Sequence, residues 1–426
     1  RLGFDQIVLE EKPGVYRERT FRCIDSFVAW CHEYKVNVVL NLHKAVGNYC
    51  DVPSPVNLLD DAGLQDRFVA LWLEFERRYH GDGAVVFELL NEVKNVEPKA
   101  WNALAARTVS EIRKVNPGII YIEKNGFGQW GRYAEEDRPS NDGAAQALSG
   151  YAWLSSFAGK PPLKQSIWIC DVFGAMMGEV AVLSALHHRK RTGKGQYIEM
   201  SQSENIMRAM GWVWPYQQVT QKHAEPSGNR DQCICPADTF YCKDGNFVAL
   251  AAPAPDEFKG LCAAMGKPEL AADPRFRDHA TRLKDENTLA ILKIISDWAA
   301  GKTADEVEQL GVKHGYAASR VFTAKDECED PNRRARGAVK EIDDPMYGQY
   351  MDHEIPINMS KTPPKHRWSV RPVGFDNDYI MTKILGRSRS QLDELYMHGV
   401  LGRWKDMQGR RPPKEWDGKT GAILRG

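Results

Sequence analysis

The sequence predicts an α/β protein, a parallel sheet flanked by helices, with a smaller α+β domain further along the chain. Three observations predict it. Short apolar runs alternate with amphipathic stretches from residue 6 to about 122. A small-residue helix follows another apolar run near residue 170, and an Asp-Gly pair between apolar runs near residue 245 marks an antiparallel hairpin.

The first strand is expected at Gln6 to Leu9, followed by a helix over Arg19 to Tyr34 and a strand over Val36 to Leu42. A helix over Leu64 to Tyr79, a strand over Val85 to Leu90, a helix over Pro98 to Val115 and a strand over Ile119 to Ile122 complete four strands and three crossovers. This β-α-β order implies parallel strands, either half of a β/α barrel or part of an open doubly wound sheet. A glycine-rich stretch, Gly126-Phe127-Gly128-Gln129-Trp130-Gly131, comes next. The run Ser166 to Cys170 reads as a strand, and the helix after it, Val172 to Arg189, carries small residues suited to burial under a sheet; Arg191-Thr192-Gly193 ends it. Asp244-Gly245 closes a hairpin over Phe240 to Leu250, and late helices are expected at Tyr379 to Leu385 and Ser388 to His398.

Charge is balanced, with 57 basic and 57 acidic residues, which argues against nucleic acid or anionic lipid as a partner. Nine scattered cysteines make a poor disulfide framework, so a reducing, cytoplasmic setting is expected. Cys233-x-Cys235 with Cys242 lacks the spacing of a metal site, and no metal is expected. No apolar run reaches the ~18 residues that cross a bilayer, so no membrane is expected.

Two constellations carry chemistry. In the first, Leu42-His43 ends one strand and Asn91-Glu92 another, and strand ends of this kind face one pocket in β/α barrels. A strand-end Glu preceded by Asn suits the acid/base of a retaining glycosidase. Asn41-Leu42-His43-Lys44-Ala45 and Phe87 to Val93 resemble glycoside hydrolase family 5, the cellulase family, over residues 3–118. The resemblance implies part of a barrel with His43, Asn91 and Glu92 at the site. The chemistry also needs a second carboxylate ~5 Å away, for which no counterpart is found.

In the second, Asp171 stands between an apolar run and a helix. Read alone, it is an N-cap; the same place keeps a carboxylate ionised through the helix dipole, as a nucleophile must be. Several separated motifs surround it: Asn116-Pro117-Gly118, Gly126-Phe127-Gly128-Gln129, Asp142 with Gln146-Ala147-Leu148-Ser149-Gly150, Arg191 to Gln196, Gly228-Asn229-Arg230, Asp244-Gly245, Ala272 to Phe276 and Leu385-Gly386. Together they resemble the class III CoA-transferases, the formyl-CoA and carnitine CoA-transferase family, from about Asn116 to Trp404.

That resemblance implies CoA transfer between an acyl-CoA and a carboxylic acid, with Asp171 as nucleophile and an aspartyl covalent intermediate. It implies substrate or CoA contacts at Gly126, Phe127, Gly128, Gln129, Asp142 and Gln146, coenzyme A as substrate with no tightly bound cofactor, and a homodimer. The chain divides accordingly into a barrel-like segment (1–118), a CoA-transferase-type large-domain portion bearing the nucleophile (119–237), a small α+β domain (238–345) and a return to the large domain (346–426). Because the cellulase-like segment replaces the family's N-terminal CoA-binding half, impaired transfer is expected. A retaining β-glycosidase using Glu92 and a non-catalytic chimera are the alternatives.

Overall fold

The structure, a computed structural model, describes residues 1–48, 57–93, 96–136, 138–344, 348–364, 366 and 374–402. Cys50 and the end of the CoA-transferase-like stretch near Trp404 lie outside them. Contacts divide the chain into two compact units, the first running Arg1–Asn229 and the second starting at Arg230.

The first unit opens with a three-stranded parallel sheet in sequence order, Leu2–Asp5, Val38–Lys44 and Val85–Glu88. The crossover helices Glu18–Glu33 and Ala62–Tyr79 fall where the apolar periodicity places them. Both present one apolar face to a core containing Phe21, Leu40, Leu42, Phe68, Trp72 and Phe75, all fully buried. Stacking anchors that core: the Phe75 ring lies 4.9 Å from Phe4 and 5.3 Å from Trp72. Asp61 caps the Ala62–Tyr79 helix by accepting from the Leu64 amide at 2.8 Å, and Glu97 does the same for Pro98–Val115.

Four expectations are corrected. Gln6–Leu9 is a helical turn, with the first strand at Leu2–Asp5. The reason lies with Gln6, whose buried amide accepts from the Val46 amide at 3.1 Å and donates to Glu10, while Ile7 and Val8 stay exposed. The fourth strand, Tyr121–Asn125, does not extend the first sheet but pairs in parallel with Tyr197–Ser201. Residues Ser166 to Trp168 form no strand, since the helix already begins at Ile169. Finally, the Ile169–Thr192 helix is not buried: Val172, Met176, Val180 and Leu183 are each more than half exposed.

The burial failure has a geometric cause. Gly174 and Gly178 let the helix lie close over Lys124, Ile122 and Met200, but a two-stranded sheet covers only one side of a helix. This helix has a mean hydropathy of 1.7 over eighteen residues. Among the described residues it alone is long and apolar enough, by length and composition, to cross a membrane, which corrects the expectation that no stretch of the chain is.

The second unit is α+β. Ala237–Tyr241 and Phe247–Ala251 form the expected hairpin, with Gly245 at φ +81° in its turn, and Ala317–Arg320 adds a third antiparallel strand. Helices Pro255–Ala264, Asp285–Ala299 and Ala304–His314 contribute to its core around Val248, Phe258, Phe276 and Ile295. Buried Arg282 donates to the carbonyls of Cys235, Phe276 and Pro253 at 3.0, 2.9 and 2.6 Å and lies over the Phe258 ring. Further on, Ser388 caps Arg389–Met397 in a capping box, as its Ser-x-x-Gln sequence requires.

Candidate active site

Asp171 is the third residue of the Ile169–Thr192 helix rather than its cap. The cap is supplied from elsewhere in the chain. Asp142, itself buried, accepts the amides of Cys170 at 2.8 Å and Asp171 at 3.3 Å on one oxygen and Gln146 Nε2 at 2.5 Å on the other. Asn141, not Asp142, caps the short helix Asp142–Leu148. Gln146 is fully buried and accepts the Gln165 amide at 2.9 Å, tying down the segment that leads into the Ile169–Thr192 helix.

The Asp171 side chain is exposed and receives a hydrogen bond from Gln202 Nε2. Lys124 supplies a cation beside it: its Nζ lies 3.4 Å from the Asp171 carbonyl, and its aliphatic end fits against Gly174, where a Cβ would come within 2.8 Å. Burial and the neighbouring charges of Asp142 and Asp171 push the Cys170 thiol up to about 11, so it stays protonated at neutral pH.

A cavity of about 980 Å³ adjoins Lys124, walled on one side by Gly126 to Gly131 and on another by Val96 to Asn102. Phe127, Trp101, Trp130 and Tyr133 give it aromatic surface, while Lys99, Lys124 and Arg138 share its lining with Glu123 and Glu135. Gly126, Phe127, Gly128 and Gln129 therefore come together, and Asp142 with Gln146 supports Asp171 from below. The loop amides at 128 and 129 are turned inward: Gly128 donates to Asn125 Oδ1 and Gln129 to Glu199 Oε1 at 3.0 Å. Neither is available to a developing oxyanion.

Several residues here escaped sequence reasoning, namely Glu123, Lys124, Asn125, Glu199 and Gln202. A signal for two of them exists, because Tyr121-Ile122-Glu123 and Tyr197-Ile198-Glu199 repeat one triplet and pair in register across the two strands. Burial raises the Glu123 carboxyl above the ordinary carboxylate range, although both tyrosine hydroxyls donate to it, at 3.3 and 3.1 Å.

The other constellation lies at the ends of two adjacent strands, where the Asn91 amide donates to the Leu42 carbonyl at 2.9 Å. His43 Nδ1 contacts Asn41 Oδ1 at 3.3 Å, and Glu92 sits at φ +41°, unusual for a side-chain-bearing residue. Arg1 donates to both Glu88 oxygens and to Asn91 Oδ1, each at 2.6 Å. Among the described residues, no group of three or more His, Cys, Asp or Glu side chains is placed to hold a metal ion.

The sequence profile of CoA-transferase family III matches residues 83–377. The chain belongs to this family. The family-III chain is 31% identical over 291 residues to succinyl-CoA–D-citramalate CoA-transferase of Chloroflexus aurantiacus, covering 68% of this chain and 71% of the relative. It is also 31% identical to acetyl-CoA:oxalate CoA-transferase of Acetobacter aceti over 55% of this chain and 61% of that one. In fold it is similar to a CAIB/BAIF family protein from Brucella suis, with a TM-score of 0.54 at 22% identity over 81% of this chain and 82% of that one. The profile of the cellulase family, glycosyl hydrolase family 5, matches residues 2–149, so the two matches overlap from 83 to 149.

Proposed function

We propose that this CoA-transferase moves CoA from an acyl-CoA to a carboxylic acid through covalent intermediates on Asp171. The observation that carries the reading is the placement of Asp171: an exposed carboxylate in the first turn of a helix whose N-terminal amides are held by Asp142, in a chain of this family. An exposed carboxylate is accessible to a substrate carbonyl, as a nucleophile must be.

In this reading, an Asp171 carboxylate oxygen attacks the thioester carbonyl carbon, the C–S bond breaks, and CoA thiolate leaves a mixed anhydride. The thiolate then attacks the aspartyl carbonyl, releasing the donor acid as carboxylate and leaving an aspartyl-CoA thioester. The acceptor carboxylate displaces CoA thiolate from that thioester. The thiolate finally attacks the acceptor's carbonyl and regenerates Asp171. Lys124 supports the developing negative charge, and Gln202 orients the carboxylate. The cavity beside Lys124, with its aromatic side chains and the cations Lys99, Lys124 and Arg138, suits the nucleotide portion of CoA, whose adenine has a π-face and whose phosphates are anionic.

The exposed apolar row Val172, Met176, Val180 and Leu183 supports a homodimer, because a surface of this kind gains by being covered. The free thiols Cys170, Cys235, Cys242 and Cys262, all buried, support a reducing compartment.

The test is incubation of the purified chain with a panel of acyl-CoA thioesters, followed by intact mass measurement and hydroxylamine trapping. An adduct on wild type that vanishes in Asp171→Ala supports the proposal. An adduct that persists in Asp171→Ala, or none with any thioester, removes it.

A further inference from the structure

The glycine loop beside the nucleophile helix is fastened from beneath by one acid. Glu199 Oε1 accepts two donors, the Gln129 amide at 3.0 Å and Asn125 Nδ2 at 3.0 Å. Asn125 in turn accepts the Gly128 amide, and Gly128 stands at φ +103°, a conformation reserved for glycine. The side chain of Gln129 is pinned at both ends: Nε2 donates to Glu123 Oε1 at 2.5 Å, and Oε1 accepts from Asn102 Nδ2 at 2.5 Å. Removing Glu199 would leave the Gln129 amide and Asn125 without their shared acceptor and free the loop from its strand.

We infer that Glu199 is a positioning residue that holds the Gly126–Gln129 loop as a preformed wall of the adjoining cavity, so that it sets affinity for the CoA part of the thioester and not the reactivity of Asp171. The consequence for affinity rests on the CoA-transfer reading; the clamp itself does not. Three features argue for affinity over chemistry. Gly126, Phe127, Gly128 and Gln129 all line the cavity. Both restrained amides point inward, away from any oxyanion. The groups that bond Asp171 are Gln202 and Asp142, and Glu199 bonds the loop instead. Asn102, on the helix Pro98–Val115 that opens the opposite cavity wall, joins the same network through Gln129.

The experiment compares wild type with Glu199→Ala, Glu199→Gln and Gln129→Ala in the full chain. Amide hydrogen exchange over residues 124–131 is followed first, without any ligand. Faster exchange there in Glu199→Ala, partly restored in Glu199→Gln because its amide oxygen can still accept, is the expected result; unchanged exchange overturns the clamp. Gln129→Ala keeps the backbone bond to Glu199, so it should loosen the loop less than Glu199→Ala; the reverse order would overturn the assignment to Glu199. Steady-state transfer is measured next. A charge-assisted bond of this kind corresponds to a KM for acyl-CoA raised roughly 10- to 100-fold, with kcat within about two-fold. A fall in kcat at unchanged KM overturns the affinity role. Wild type with no transfer and no adduct would instead remove the functional reading, and the exchange data would still decide the clamp.

Discussion

Asp142 offers the sharpest perturbation, because one buried carboxylate joins two helices through three hydrogen bonds. In Asp142→Ala the Ile169–Thr192 helix loses its cap, an effect of about 1–2 kcal/mol. Gln146 Nε2 loses its shortest bond, adding about 1–2 kcal/mol. The sum, about 2–4 kcal/mol in a unit of residues 1–229, corresponds to a fall in Tm of roughly 5–15 °C. Asp142→Asn keeps an oxygen for the two amides but sets an NH2 group against Gln146 Nε2, so it should cost roughly half as much. Thermal unfolding followed by far-UV circular dichroism and tryptophan fluorescence measures both variants. An Asp142→Ala protein that melts with wild type refutes the cap. If Asp142→Asn is as damaged as Asp142→Ala, the shared oxygen is not what matters.

Other expectations follow from the same coordinates. Phe75→Ala should lower the stability of the first unit by about 3–5 kcal/mol in urea unfolding, since Phe75 is fully buried among Phe4, Phe21 and Trp72; a change below about 1 kcal/mol would contradict the stacked core. Arg282→Met should destabilise the second unit by about 3 kcal/mol or more, because three carbonyls, two of them in buried bonds, lose their donor, and Arg282→Lys should not restore it, lacking the planar fork. Cys170 should resist alkylation at pH 8 while exposed Cys23 and Cys233 react, since its folded pKa is raised and thiolate forms only as pH climbs toward about 11. Early labelling of Cys170 in peptide mass maps would show that the site is open.

The sequence and the structure part company at identifiable places. Helices with a clear apolar stripe or a cap, such as Ala62–Tyr79 and Arg389–Met397, were legible because local side-chain patterns decide them. Gln6–Leu9 was not, since its apolar residues signal a strand and only the distant Val46 amide, bonded to Gln6, reveals the turn. Asp171 was legible as an acid at a helix start; taken alone it reads as a cap, but the residue that caps the helix, Asp142, lies twenty-nine positions earlier in the chain. Glu199 could have been noticed from its repeated triplet, but its role depends on a strand pairing across 76 positions that no local pattern announces.

The sequence by itself determined the α/β character, the antiparallel hairpin of the second unit, the positions of the long helices of the first unit and the family-like motifs around Asp171, all consequences of periodicity, turn chemistry and short motifs. Only the tertiary structure decided that the strand Tyr121–Asn125 leaves the first sheet for Tyr197–Ser201, that Asp142 caps the Ile169–Thr192 helix, and that this helix shows its large apolar residues to the outside. The physical reason is common to all three. Each depends on which distant backbone groups and surfaces are within reach, and a hydrogen bond or a buried face is fixed by the partner as much as by the residue that offers it.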